Sequence, residues 1–375
     1  MANSNLKVGV VGLGVMGRNY AQRLHRGEIP GAELAAVCVR DAGRRLELER
    51  EFPVRTFLSF DDFLRSGIDA VLVATPHFSH VNLGVAALEA GLHVLLDKPI
   101  AVDKAGAERL IAAHRERPRQ VFAAMFNQRT NPAYARLRAM IAGGELGALQ
   151  RIQWTVTDWF RPQHYYDSSR WRATWGGEGG GVLVNQCPHQ LDLYQWLFGM
   201  PRGVRAFCQY GRFHDIEVED SVTAHLEHAD GATGLFVTTT GEAPGVNRLE
   251  VAGDAGLVVI ADGRFTFKRN AVPTSDLVRS ANESFPKPDF QESTFDASDP
   301  GEQHAGILRN FVAACSDGAQ LIAPADEGIR SVELANAMLY SSATAQTITL
   351  PLDSAVYRRW LDEKIAGSRF RPAST

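Results

Sequence analysis

The chain has 375 residues, with 39 Lys and Arg against 43 Asp and Glu, for a formal net charge of -4. That balance offers no electrostatic footing for nucleic acid or an anionic membrane, and no apolar run approaches membrane-spanning length. Hydrophobic residues make up 45% and charged residues 22%, as in a soluble globular protein, and the length exceeds a typical single core, so two domains are expected.

The opening "MANSNLKVGVVG" has no basic segment followed by an apolar one, so a cytoplasmic location is expected. A short apolar run, Leu6 to Val11, suits a fully buried strand. Gly12, Gly14 and Gly17 follow in G-x-G-x-x-G order, and a helical pattern starts at once. The first glycine makes the tight turn, the second lets backbone approach a pyrophosphate, and the third lets helix and strand pack closely. The helix start then offers N–H groups and positive dipole charge to phosphates.

Strand-like and helical runs continue to alternate. "ELAAVCV" precedes "GRRLELERE", "DAVLVAT" precedes "VNLGVAALEAG", and "HVLLDKP" precedes "AGAERLIAAHRE" and "QVFAAMF". This is the pattern of a doubly wound parallel sheet, and it assigns residues 1–126 to a Rossmann nucleotide-binding domain. The mixed charges of "RRLELERE" read as a solvated helix face. At the end of the second strand an acidic residue would bind the ribose hydroxyls of NAD, whereas arginine suits a 2′-phosphate. Val39 stands where the acid is expected, Asp41 comes two residues later, and Arg40 and Arg44 tilt the choice between NAD and NADP toward NADP.

"HVLLDKPIAV" puts Asp97, Lys98 and Pro99 at the carboxyl end of a strand, the edge where open α/β sheets bind ligands. A lysine there can donate to a substrate oxygen or have its proton affinity lowered. The histidines of "TPHFSH" carry no metal spacing, and no metal site is expected. Cys38, Cys187, Cys208 and Cys315 are scattered, with only Cys187 and Cys208 close enough in sequence for pairing to be considered.

From residue 127 to 375 the pattern changes. "RIQWTVTDW", "GVRAFCQYG", "SVTAHLEHA", "TGLFVTTT", "RLEVAGD" and "GLVVIA" are alternating or β-rich and indicate a large antiparallel sheet. A broad open face would be covered by a second copy, so a homo-oligomer, dimer or tetramer, is expected. Residues 271–303 are Pro- and Ser-rich and read as an extended arm, followed by two helical stretches. "WFRPQHYYDSSRWRATWGGEGGG" is dense in aromatic and hydrogen-bonding side chains, which suits a sugar ring with its apolar C–H faces and equatorial hydroxyls. In "GGGVLVNQCPHQLDLYQWLFG", Pro188 suits a first helical turn. His189 then lies in that turn with Asn185 just before it.

Together the glycine motif, "TP" at 75–76, "ALEAGLHVLLDKP" and the "GGG…N…H…D" run are similar to the Gfo/Idh/MocA family of oxidoreductases. The similarity extends to "FNQRTNPAYARLRAMIAGGELGAL" and "PADEGIRSVELANAMLYSSATAQTITLP". The resemblance implies an N-terminal Rossmann sheet and a C-terminal α/β domain with a large open antiparallel sheet for substrate binding and oligomerisation. It implies cofactor contacts from Gly12, Leu13, Gly14, Val15, Met16, Gly17, Thr75, Pro76, His80, Asp97, Lys98, Asn127, Trp171 and Arg172. Lys98, Arg129, Trp171, Asn185, His189 and Asp192 become the substrate contacts, with Lys98, His189 and Asn185 as the catalytic set. The family's usual Glu-Lys-Pro and D-x-G-x-H read here as Asp-Lys-Pro and N-x-C-x-H.

The expected reaction oxidises a secondary alcohol of a sugar, sugar derivative or inositol-like polyol. His189 is the expected base, because a helix start disfavours the protonated ring. Lys98 would hold the same oxygen, and Asn185 would bind a neighbouring hydroxyl. The alternatives are a glycoside hydrolase or lyase using tightly bound NAD in a transient oxidation, and a non-catalytic dinucleotide or sugar sensor.

Overall fold

The computed structural model describes residues 5–370. It divides into two compact units, one running to Thr130 and including Glu302–Val332, the other formed by Asn131–Gly301 and the chain from Glu333. Residues 302–332 thus join the first unit, so the boundary expected at 126/127 is crossed again.

In the first unit six strands form a wholly parallel sheet: β1 (Leu6–Val11), β2 (Ala32–Cys38), β3 (Arg55–Phe57), β4 (Ala70–Val73), β5 (His93–Leu96) and β6 (Phe122–Ala124). Their order is β3-β2-β1-β4-β5-β6. Continuous apolar runs such as Ala70–Val73, buried at every position, belong in a sheet covered on both faces. The chain winds outward from β1 in both directions, which opens a crevice at the carboxyl end of β1, where order reverses. The helix Gln303–Asp317 adds Ile307, Leu308 and Phe311 to the same core. Beyond it, the Ala124 N–H donates to the Ala323 carbonyl at 3.0 Å.

The second unit is built on nine strands: β7 (Leu149–Val156), β8 (Gly203–Tyr210), β9 (Glu219–Glu227), β10 (Thr233–Thr239), β11 (Asn247–Gly253), β12 (Gly256–Ala261), β13 (Arg264–Asn270), β14 (Phe290–Asp296) and β15 (Ile348–Thr349). Their order is β14-β13-β12-β11-β7-β10-β9-β8-β15. Neighbours are antiparallel except β7 and β10, which run parallel, so the sheet is mixed rather than purely antiparallel. Alternate residues of β7, Ile152, Trp154 and Val156, are buried while those between them are less so, as one-sided burial requires.

The supposed arm at 271–303 contains a helix, Thr274–Ser280, and the strand β14, whose Phe295 pairs with Phe265 of β13 at 6.3 Å between ring centroids. Backbone pairing along an exposed edge needs little apolar periodicity, which is why composition concealed the strand. The four cysteines are free, so Cys187 and Cys208 are not joined. Cys187 Sγ instead lies 3.1 Å from Thr238 Oγ1. No described helix is long and apolar enough to cross a membrane.

Trp154 is completely buried, between the rings of Tyr134 and Phe236, and its Nε1 donates to Asn247 Oδ1 at 3.1 Å. Trp154→Ala should lower unfolding stability by about 3–5 kcal/mol in urea titration, the usual cost of emptying a large aromatic site.

Candidate active site

The glycine loop follows β1 directly. Gly12 has φ +88, and a Cβ there would stand 2.7 Å from the Ala74 carbonyl oxygen. At Gly17 the added Cβ would lie only 1.8 Å from the Gly12 carbonyl, whereas at Gly14 it would meet nothing within 4 Å. The first and third glycines therefore shape the loop, and the second leaves its approach open. The helix Val15–His25 starts there with no side-chain cap, which leaves its first N–H groups for a ligand's anionic oxygens.

A cavity of about 660 Å³ opens beside this loop, lined among others by Leu13, Gly14, Val15, Met16, Arg44 and His304. Val15 is 85% exposed, an apolar side chain with room for a ligand over it. This chemistry fits a dinucleotide: open glycine backbone, a helix N-terminus for the pyrophosphate, and an arginine, Arg44, in the cavity wall. Arg44 Nη2 donates to the Leu13 carbonyl at 2.9 Å. Arg40 is exposed, and the Asp41 carboxylate caps its own turn through the Gly43 N–H. His304 was missed by the sequence reading; burial holds its imidazole below the ordinary range.

Beyond β4 and β5 the expected residues cluster again. His80 is fully buried, its Nδ1 2.8 Å from the Pro99 carbonyl and its Nε2 2.7 Å from the Thr75 carbonyl. It thereby ties the loop bearing Thr75 and Pro76 to the loop bearing Lys98. Asp97 accepts from the Lys98 N–H at 2.8 Å and from the Tyr20 hydroxyl at 3.4 Å. The carboxylate expected at the cofactor thus also holds the lysine's backbone. Asn127 is buried with its Nδ2 donating to Gln303 Oε1.

Arg129, expected at the substrate, is buried in the first unit. Its side chain is 1% exposed, with Nη1 2.5 Å from Glu327 Oε2 and 3.2 Å from the Ile322 carbonyl. The first unit uses this arginine to hold the segment returning after residue 302.

In the second unit the helix Pro188–Phe198 begins at Pro188, and the half-buried His189 is its second residue. Asn185 ends the short helix Val182–Asn185. Asn185 Nδ2 donates to Glu178 Oε1 at 2.6 Å and approaches the Tyr165 hydroxyl at 3.4 Å. Arg172 Nη1 donates to the same hydroxyl at 3.0 Å and lies 4.0 Å from Glu178 Oε1. Its guanidinium also stacks 4.7 Å from the ring centroids of both Trp171 and Tyr165. The aromatic loop and the N-x-C-x-H run therefore meet in one cluster. Asp192 is fully buried one turn past His189, with Gln195 Nε2 donating to it at 3.1 Å. That contact lies within the helix Pro188–Phe198.

Glu178 and Glu219 were not singled out from the sequence. Glu219 is completely buried in β9 and accepts from the Gly181 N–H at 2.8 Å and the Leu183 N–H at 3.0 Å. It thus caps the segment that carries Asn185. Among the described residues, no group of three or more His, Cys, Asp or Glu side chains is placed to hold a metal ion.

Against known proteins, residues 6–125 match the NAD-binding Rossmann fold of an oxidoreductase family, and residues 134–259 match the GFO/IDH/MocA C-terminal domain. The chain belongs to the GFO/IDH/MocA family. The uncharacterised oxidoreductase YdgJ of Escherichia coli (strain K12) is 33% identical over 201 residues, 53% of this chain and 55% of that protein. An inositol 2-dehydrogenase of Leifsonia xyli is 32% identical over 198 residues, 52% of this chain and 55% of that protein. The chain spans about half the length of these curated relatives. The WlbA dehydrogenase of Bordetella pertussis, solved with NADH and UDP-GlcNAcA, superposes with a TM-score of 0.77 at 26% identity, covering 93% of this chain and all of that one.

Burial raises the Glu219 carboxyl from its ordinary 4.5 to about 7. A group that binds its proton more tightly when folded contributes stability below its unfolded value, and that contribution is lost as pH rises through the folded one. The stability difference between parent and Glu219→Gln, measured by urea unfolding, should therefore shrink between pH 5 and pH 8. The change should be on the order of 3 kcal/mol. Gly17→Ala should weaken dinucleotide binding by about 10-fold or more in calorimetric titration, since the clash is with backbone and the loop must shift.

Proposed function

We propose that this chain is a nicotinamide-dinucleotide-dependent dehydrogenase acting on a secondary alcohol of a sugar, sugar derivative or inositol-like cyclic polyol. The observation that carries this reading is the cluster of Tyr165, Trp171, Arg172, Glu178 and Asn185 beside the helix start that bears His189. Aromatic faces beside fixed hydrogen-bonding groups suit a polyhydroxylated ring. The inositol 2-dehydrogenase relative and the WlbA neighbour, solved with a nucleotide sugar, support the same substrate class.

Bound dinucleotide supplies the two-electron acceptor. The chain must supply an acceptor for the hydroxyl proton, because the carbon's loss of hydrogen is coupled to deprotonation of its oxygen. We assign that proton to His189, and to Lys98 the stabilisation of negative charge developing on a substrate oxygen. Asn185 and Arg172 orient neighbouring hydroxyls. Residues 12–17 hold the pyrophosphate, and the NAD-binding description of the family supports NAD. Arg44, at the cavity, is the group that would meet a 2′-phosphate, so both dinucleotides belong in the assay. The exposed Phe207 and Phe290 on the second unit's sheet support self-association.

Nicotinamide absorbance with a panel of inositols, pyranoses and glycosides tests the reading. Lys98→Met and His189→Ala should each reduce kcat by about 100- to 10,000-fold while dinucleotide binding persists. A panel without net reduction, in protein that retains its cofactor, would replace dehydrogenation with transient oxidation during bond cleavage.

A further inference from the structure

The Glu178 carboxylate is 1% exposed, so its charge needs donors and a cation close by. The second unit provides them from three places. Asn185 Nδ2 donates to Oε1 at 2.6 Å, the Ala173 N–H donates to Oε2 at 2.5 Å, and the Arg172 guanidinium lies 4.0 Å from Oε1. Ala173 has φ +50, a left-handed backbone that an alanine adopts only under constraint, and the carboxylate holds its N–H. One buried side chain therefore fixes the backbone just after Trp171 and Arg172 and the amide of Asn185.

From this geometry we infer that Glu178 is the positioning residue of the substrate cluster and that it dictates an amide at position 185. A carboxylate oxygen can accept but not donate, so the side chain 2.6 Å away must present N–H. This orients the Asn185 amide, with nitrogen toward Glu178 and oxygen on the opposite side. The pair then carries one negative charge, which Arg172 balances. An aspartate at 185 would place two carboxylates in contact, and they could coexist only by sharing a proton. The side chain at 185 is thus read together with Glu178 as a single unit.

This inference rests on the proposal that Asn185 and Arg172 face the substrate, and its test separates the two. Glu178→Gln, Asn185→Asp and the double variant Glu178→Gln/Asn185→Asp are compared with the parent for turnover, dinucleotide affinity and thermal unfolding between pH 6 and pH 8. Glu178→Gln should lower kcat/KM by about 10- to 100-fold with dinucleotide affinity within about two-fold of the parent. Asn185→Asp should lose more activity at pH 8 than at pH 6 and unfold at lower temperature as pH rises. The double variant, which restores one donor and one charge, should recover most of both losses, a coupling that two independent structural defects would not show.

If Glu178→Gln keeps parental kcat/KM and the double variant is no better than Asn185→Asp, the inference is overturned. If the parent turns over no polyol, the proposed function fails, and the unfolding data alone decide. Rescue of the pH-dependent melting of Asn185→Asp by Glu178→Gln supports the pairing, and melting temperatures that simply add overturn it.

Discussion

Two backbone N–H groups, those of Gly181 and Leu183, converge on one buried carboxylate, Glu219, and the placement of the Asn185 cluster depends on it. A short helix has unpaired N–H groups at its start, and in the interior they must find an acceptor. Glu219 supplies both from a strand of the main sheet. The segment from Gly181 to Asn185 is thereby referenced to β9, and the helix starting at Pro188 follows after Gln186 and Cys187. Gly181 must itself be glycine, because a Cβ there would lie 2.0 Å from the Glu219 carbonyl oxygen. Side chain and backbone of the same residue thus fix the loop from both directions. Glu178 then extends the frame outward to Asn185, Ala173 and Arg172.

The first unit was largely legible in the sequence because its signals are local. Gly12, Gly14 and Gly17 act within six residues, and uninterrupted apolar runs such as Ala70–Val73 announce a sheet buried on both faces. The start of the helix at Pro188 was equally local. What escaped depended on distance along the chain. Glu178 and Glu219 look like any surface acid until the fold seals them, and the pairing of Glu219 with Gly181 spans 38 residues. His304 reaches the dinucleotide cavity from a segment whose return to the first unit has no sequence marker. Arg129 and Asp192 are the opposite case: their types and spacing were legible, but not that both are buried with Glu327 and Gln195 among their partners.

The mixed character of the large sheet has the same origin. Alternation in β7 and β10 shows that each has one buried face, but not whether the two strands run in the same direction. Their parallel pairing arises because the chain leaves β7, passes through the aromatic loop and the helices of the site, and builds β8 and β9 before β10 returns alongside. The site is therefore carried on the long crossover that this single parallel pair requires.

Because Ile307, Leu308, Phe311 and the Ala323 carbonyl complete the first unit, that unit cannot be finished when its own first strands leave the ribosome. At ~5–20 residues per second, the 171 residues from Asn131 to Gly301 that separate the two parts take about 9–34 s to synthesise. Throughout that interval the outer edge of β6 and the apolar ground for Phe311 stand uncovered on the nascent chain. The glycine loop follows β1, an inner strand of the same sheet, and its cavity is lined in part by His304 of the late segment, so the dinucleotide site is complete only once that segment has returned.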